Sequence, residues 1–288
     1  MTYNEKMAHS ENLIRTTPSE ASNPILAFRR TGAHSSLPIV LLHAMPLDGS
    51  MWDTMRDLLP EIDIISVDAP GFGASPSGEV FAQAYGQGAG DASLEIYARA
   101  VAATLDKLEI ERAVFVGISI GGAVAAAFAD LFPQRVAGLV IMDSNVNADS
   151  KQVRENRQKA IELCEQGKAY QTIKDWSRTM LSPQSLKLLS KKLDGIFREV
   201  SSPALAWLQR AQLARPDRRV VIASLDVPLL FIRGKDDVTC SREMLSELRD
   251  LAGAGRVVEV RGAGHFSALE KPEPCAQLLR SFYREVSN

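Results

Sequence analysis

Cysteine is scarce in this 288-residue chain: three residues, Cys164, Cys240 and Cys275, odd in number and far apart. That disfavours a disulfide framework and a thiolate metal knuckle, and it fits a reducing, cytoplasmic setting. Histidine is sparse as well, and no spacing among His9, His34, His43 and His265 resembles a metal site. A surplus of either charge is missing, since 33 basic and 35 acidic side chains leave a formal net charge of −2. Nucleic acid is therefore not expected as a partner. No run approaches the roughly 20 apolar residues of a membrane span. The opening MTYNEKMAHSENLIRTTPSEASNP lacks the apolar core of a signal peptide. No membrane association is expected, and residues 1–24 read as a mobile polar tail.

What is present is the makeup of an ordinary globular protein. With 45% hydrophobic and 24% charged residues, the chain can fill one large domain or a domain with an insertion. Short apolar runs rich in Val and Ile alternate with longer segments of helical period, the pattern of a mainly parallel sheet flanked by helices. Strands are predicted at ILAFRR (25–30), PIVLLHA (38–44), DIISVDA (63–69), AVFVGI (113–118), AGLVIMD (137–143), PLLFIRG (228–234) and RVVEVRG (256–262). Their near-continuous apolarity suits strands buried on both faces. Leu94, Tyr97, Ala98, Val101, Leu105 and Leu108 recur at three- and four-residue steps and predict a helix with one buried stripe. From about Asn145 to Leu225 only helical patterns occur, which predicts an all-helical insertion after the fifth or sixth strand. The stretch 75–93, SPSGEVFAQAYGQGAGDAS, is biased to Gly, Ala and Ser and reads as a flexible loop.

Gly117-Ile118-Ser119-Ile120-Gly121 is a G-x-S-x-G pattern between a strand and a helix. A serine at the corner of so tight a turn needs a positive φ, and neighbours two positions away must lack bulk where strand and helix cross. The strain lifts the hydroxyl off the sheet, aims the Ile120 N–H at a substrate oxygen, and sets the serine at a helix N-terminus. A dinucleotide-binding turn is the rival reading, but it wants a glycine where Ser119 stands and a place after the first strand.

A serine hydroxyl needs a base, and the base needs an orienting group. Downstream, His265 lies in the glycine-bearing stretch Arg261–Phe266 after the last predicted strand, and Asp236 and Asp237 lie just past the strand before it. All fall beyond carboxyl ends of strands, the edge where sites of parallel sheets assemble.

With His43-Ala44-Met45-Pro46, Trp52, and Asp68 to Ser75 added, the chain resembles the α/β-hydrolase superfamily. The resemblance is to its cofactor-free branch with a helical cap, which includes enol-lactonases, esterases and perhydrolases. It implies an α/β-hydrolase fold with core segments 25–145 and 226–288 and a helical cap at 146–225. It implies Ser119 as nucleophile, His265 as base and Asp237 as acid, with Asp236 as fallback and Asp143 as the place some relatives use. The backbone N–H groups of Met45 and Ile120 would bind the oxyanion, although Ala44 stands where the family usually has glycine. Haloalkane dehalogenases and epoxide hydrolases carry an aspartate at the Ser119 position, so those chemistries are disfavoured.

The expected reaction is hydrolysis of a small or medium acyl compound, an ester or lactone, with no cofactor and no metal. A carbon-carbon bond-cleaving or non-hydrolytic relative, or a slow-turnover ligand receptor, is the alternative. The oligomeric state is left open. His43 is expected to bond the oxyanion loop, Asp68 and Gly71 to Ser75 to shape a loop, and Cys240 to be inert. Tyr170, Trp176, Phe197 and Trp207 are expected in the core of the cap, with one or two reaching the pocket. The basic cluster Arg215 to Arg219 reads as a solvated face.

Overall fold

The computed structural model describes residues 13–14, 23–86, 88 and 90–288. Among the described residues, eight strands form one sheet: β1 (Leu13–Ile14), β2 (Phe28–Thr31), β3 (Ile39–Leu42), β4 (Ile64–Val67), β5 (Ala113–Ile118), β6 (Val136–Met142), β7 (Leu229–Gly234) and β8 (Arg256–Val260). Their order is β1-β2-β4-β3-β5-β6-β7-β8. β1 and β2 pair antiparallel, as do β2 and β4, and every pair from β4 to β8 is parallel. β3 to β7 are buried along their whole length, which is why they read as unbroken apolar runs.

Register brings the carboxyl ends of the central strands level. Leu42 pairs with Gly117, Ile118 with Met142, Met142 with Ile232, and Gly234 with Val260. The turns that follow these strands therefore open along one edge. Behind it the helix Ile120–Leu131 is buried along nearly its whole length, and its alanines let it lie close to the sheet, with the tilted rings of Phe115 and Phe128 centred 4.2 Å apart.

Between β6 and β7 the chain forms the helices Lys151–Glu165, Ala169–Ile173, Trp176–Thr179, Pro183–Arg198, Ser202–Leu213 and Arg219–Ala223. The three longest start on a serine whose side chain accepts a backbone N–H of the first turn: Ser150 from Val153, Ser182 from Ser185, Ser201 from Ala204. Such caps satisfy donors that the helix itself cannot.

One expectation is corrected here. The stretch 75–93 is not a loop throughout, because Gly78–Tyr85 is a helix. Tertiary packing overrides its weak local propensity. Phe81 and Ala82 are buried, Gly78 lies flat against the Trp207 indole where a Cβ would collide, and the Tyr85 hydroxyl donates to the Pro24 carbonyl at 2.7 Å. Within the expected polar tail, Leu13–Ile14 pair with Phe28 and Arg29. Residues 1–12 and 15–22 of that tail lie outside the described residues.

Candidate active site

Ser119 has φ 56° and ψ −122°, a conformation costing a non-glycine residue about 1–3 kcal/mol. The surroundings hold it there. Its N–H donates to the Met142 carbonyl at 2.9 Å, and its own carbonyl accepts from the Gly122 N–H at 3.0 Å and from the Ser144 hydroxyl at 2.5 Å. The flanking glycines are sterically required: a Cβ on Gly117 would strike the Gly121 carbonyl, and one on Gly121 the Leu42 carbonyl.

The Ser119 Oγ lies 2.8 Å from His265 Nε2, and His265 Nδ1 lies 2.9 Å from Asp237 Oδ2. Thr239 adds a contact that sequence reasoning missed. Its hydroxyl donates to Asp237 Oδ1 at 2.8 Å and sits 2.7 Å from His265 Nδ1, while its N–H also donates to Oδ1 at 2.7 Å. With the hydroxyl proton given to the carboxylate, the Nδ1–H is shared between Asp237 and the Thr239 oxygen. An aspartate bonded to the backbone two residues on is an Asx turn, so the Asp-x-Thr spacing was the available signal.

Burial works against charge on Asp237, yet its bonds to His265 and the Thr239 donors outweigh it and hold the carboxyl below its usual 3.8. Burial would likewise lower the His265 pKa, but the hydrogen bond and charge of Asp237, with Asp143 and Glu270 behind it, raise it above 6.5. Asp236 is exposed, and its N–H is bound to the Ala263 carbonyl. Asp143 makes no bond to the imidazole. Its Oδ1 accepts from the Gly234 N–H at 2.6 Å and its Oδ2 from the Ser267 N–H at 3.1 Å. Burial and the neighbouring Asp237 charge push its pKa up to about 7.

The His265 turn is anchored twice. Its N–H donates to the Met180 carbonyl at 2.8 Å. The buried Glu270 accepts from the N–H groups of Gly264 (2.9 Å) and Ser182 (2.8 Å). On the other side of the site, His43 is fully buried, which lowers its pKa. Its Nε2 accepts the Ala69 N–H at 2.8 Å, so the proton resides on Nδ1, which donates to the Ala44 carbonyl at 3.0 Å. Asp68 accepts from the N–H groups of Gly49 and Ala74 and shapes the adjoining loop.

Met45, Ser119, Ile120 and His265 line one cavity of about 620 Å³. Ile120 is the first residue of its helix, so its N–H has no partner one turn back within the helix. Trp176, Met180, Gln212 and Arg215 line the cavity from the insertion. Of the aromatics expected in the cap, Trp176 reaches the cavity, while Phe197 and Trp207 are buried in packing.

The reading of Arg215 to Arg219 as a solvated face is overturned for two members, Arg215 being 8% and Arg218 3% exposed. Carboxylates from distant segments make that burial possible: Asp149 pairs with Arg215, and Glu95 and Asp130 pair with Arg218. Only Arg219 of these pairs locally, with Asp217. Among the described residues, no group of three or more His, Cys, Asp or Glu side chains is disposed to hold a metal ion, and no helix is long and apolar enough to cross a membrane. The three cysteines are unpaired and buried.

Comparison with known proteins adds to this geometry. A family model described as the alpha/beta hydrolase fold matches residues 38–272. The chain is 26% identical to esterase YbfF of Escherichia coli over 269 residues, covering 88% of this chain and 95% of that protein. It is 28% identical to a pimeloyl-acyl-carrier-protein methyl ester esterase of Sodalis glossinidius, over 88% of this chain and 96% of the relative. Among solved structures, a thermophilic esterase from Thermogutta terrifontis superposes with a TM-score of 0.82 at 27% identity, covering 91% of this chain and 94% of that one.

Proposed function

The chain belongs to the α/β-hydrolase fold family, and we propose that within it the protein hydrolyses a small or medium carboxylic ester or lactone through an acyl-enzyme on Ser119. The observation that carries this reading is the unbroken relay from Ser119 Oγ through His265 to Asp237, with steps of 2.8 and 2.9 Å. The relay opens onto the cavity of about 620 Å³, which is the size of a small-molecule site. The esterase relatives support the ester bond as the one cleaved.

In this mechanism Ser119 Oγ attacks the acyl carbon and its proton passes to His265 Nε2. The carbonyl oxygen becomes an oxyanion facing the backbone N–H groups of Met45 and Ile120, with the positive end of the helix Ile120–Leu131 behind them. The Nε2 proton then goes to the departing alkoxide, leaving Ser119 acylated. Water gives a proton to Nε2 and attacks the acyl carbon, and the same proton returns to Ser119 as the acid leaves. Asp237 and Thr239 keep the Nδ1 proton in place, so Nε2 is free to accept. No step calls for a cofactor.

A fluorophosphonate probe tests the reading directly. Folded protein at neutral pH is expected to take one label at Ser119, and Ser119→Ala to take none. Wild-type protein that stays unlabelled removes the proposal. Only neutral imidazole accepts a proton, so kcat/KM on an activated ester is expected to fall with acidification, its inflection above the ordinary 6.5 because the His265 pKa is raised. A rate that is flat from about pH 5 to 8 would contradict His265 as the base.

A further inference from the structure

The wall of the cavity beside the nucleophile carries an unusual group of charges. Asp149 sits between two arginines, with Oδ1 at 2.7 Å from Arg215 Nη2 and Oδ2 at 2.5 Å from Arg157 Nε. All three residues line the cavity. Two guanidinium charges therefore share one carboxylate. The other acid in the lining, Asp143, has both oxygens occupied by the backbone N–H groups of Gly234 and Ser267. Arg218, nearby in sequence, draws on Glu95 and Asp130 and leaves Asp149 to the pair.

Arg215 is more than nine-tenths buried, and its Nε has no hydrogen-bond partner. A buried guanidinium donor without an acceptor is costly unless something else completes it. Its position relative to the chemistry is fixed. Arg215 Nη2 also donates to Asn145 Oδ1 at 3.2 Å, and Asn145 follows Ser144, whose hydroxyl holds the Ser119 carbonyl. Just upstream on the same segment, Gln212 Nε2 approaches the Met45 sulfur at 3.8 Å. Arg215 is thus linked through Asn145 to the segment that holds Ser119, and both arginines share one cavity wall with Ser119 and Met45.

We propose that Arg157 and Arg215, bridged by Asp149, form a subsite for a carboxylate carried by the substrate, so that the enzyme favours half-esters of dicarboxylic acids over neutral esters. A substrate carboxylate in the cavity gives the two guanidinium groups a second counter-charge beside Asp149. It also balances the one surplus positive charge of the Arg157–Asp149–Arg215 group. Arginine suits the task because its planar fork matches carboxylate geometry. The inference rests on the serine-hydrolase reading above and narrows its substrate class.

The test compares kcat/KM for monoethyl glutarate and ethyl pentanoate, which have the same acyl chain length, by proton release in a pH-stat. Wild-type protein is expected to favour the half-ester by roughly tenfold or more, the scale of a desolvated charge contact. Arg215→Gln is expected to reduce that ratio by about tenfold. Asp149→Asn is expected to raise it, because the arginines lose their internal counter-charge. A group that serves only to clamp the helices together would scale both esters alike in both variants, and that result overturns the subsite. Should Arg215→Gln fail to fold, Arg157→Gln and Asp149→Asn still read the ratio in opposite directions. Hydrolysis of ethyl pentanoate with no preference for the half-ester defeats the subsite and leaves the hydrolase reading standing. If neither ester is turned over, both fall.

Discussion

β6 and β7 lie side by side and each runs into a buried aspartate at its carboxyl end, yet the two carboxylates are pulled in opposite directions. Burial, and after it the like charge of Asp237, push the Asp143 pKa up to about 7, against the pull of two backbone N–H groups. Asp237 receives the Thr239 hydroxyl, two N–H groups and the imidazole, and its pKa is held below 3.8. Both side chains are buried, and burial opposes charge on each, so burial alone does not separate them. A partner able to carry positive charge does. One strand end is organised to keep a charge beside His265, the other to fasten the turns around it.

The sharpest way to break this contrast is to remove each charge in turn. Asp237→Asn is expected to lower kcat on an activated ester by up to about 10⁴-fold, the loss seen when a triad imidazole is held in the wrong tautomer. Asp143→Asn on the same ester is expected to cost about tenfold at most, the rate equivalent of one hydrogen bond. Exposed Asp236→Asn is expected to leave kcat unchanged. If Asp143→Asn proves the crippled variant, the acid sits on β6 and the two strand ends have been assigned the wrong way round. Circular dichroism checks that each variant is folded.

Thr239 sharpens the comparison, because its hydroxyl touches both Asp237 and the imidazole. Thr239→Val is expected to reduce kcat by about tenfold through looser positioning of the imidazole. With one donor fewer on its carboxylate, Asp237 holds the imidazolium more tightly, so the acid limb of the pH profile should move to higher pH. Thr239→Ser should restore both. A rate loss with an unmoved profile would reduce Thr239 to packing.

The smallest effect is on stability, and there the two aspartates differ in sign. Asp143 binds its proton more tightly in the folded chain, so its contribution makes stability fall as pH rises between about 4 and 7. Asp237 does the reverse, its contribution being present above 3.8 and lost as pH falls through its depressed pKa. Asp143→Asn leaves an amide facing one of two N–H donors, a loss of about 1–3 kcal/mol in urea unfolding. That penalty should shrink from pH 5 to pH 8, because only the wild type acquires the buried charge. A constant penalty would place the Asp143 pKa outside that window.

Much of this architecture is written locally. The strands are apolar runs between turn residues, and the register of β3, β5 and β6 follows from such runs pairing in parallel. The Ser119 turn is readable because Gly117 and Gly121 have to be small for a reason that lies within five residues. His265 and the pair Asp236-Asp237 stand out as residues just past strands, and it is the family resemblance that singles out Asp237. What escaped reading is held by distant partners. The Asp143 carboxylate meets Gly234, 91 residues away, and Glu270 meets Ser182, 88 residues away. The helix Gly78–Tyr85 is hidden for the same reason: its own sequence favours a loop, and Trp207 and Pro24 supply what makes it a helix. Arg215 looked like surface because nothing near it in sequence announces Asp149.

The bonds around Glu270 bear on how far this protein can be taken apart and recombined. By contour, the helices between β6 and β7 resemble an attachment that could be exchanged for a relative's. By hydrogen bonding they do not separate so cleanly: the His265 N–H is satisfied by the Met180 carbonyl, and the Ser182 hydroxyl donates to the Gly262 carbonyl at 2.9 Å. A chimera grafted at the strand ends would strand the His265 donor and one oxygen of Glu270 in a buried place, each an unmet polar group. The natural seam for recombination therefore runs inside the insertion, past Ser185, with residues 180–185 inherited together with the histidine turn they support.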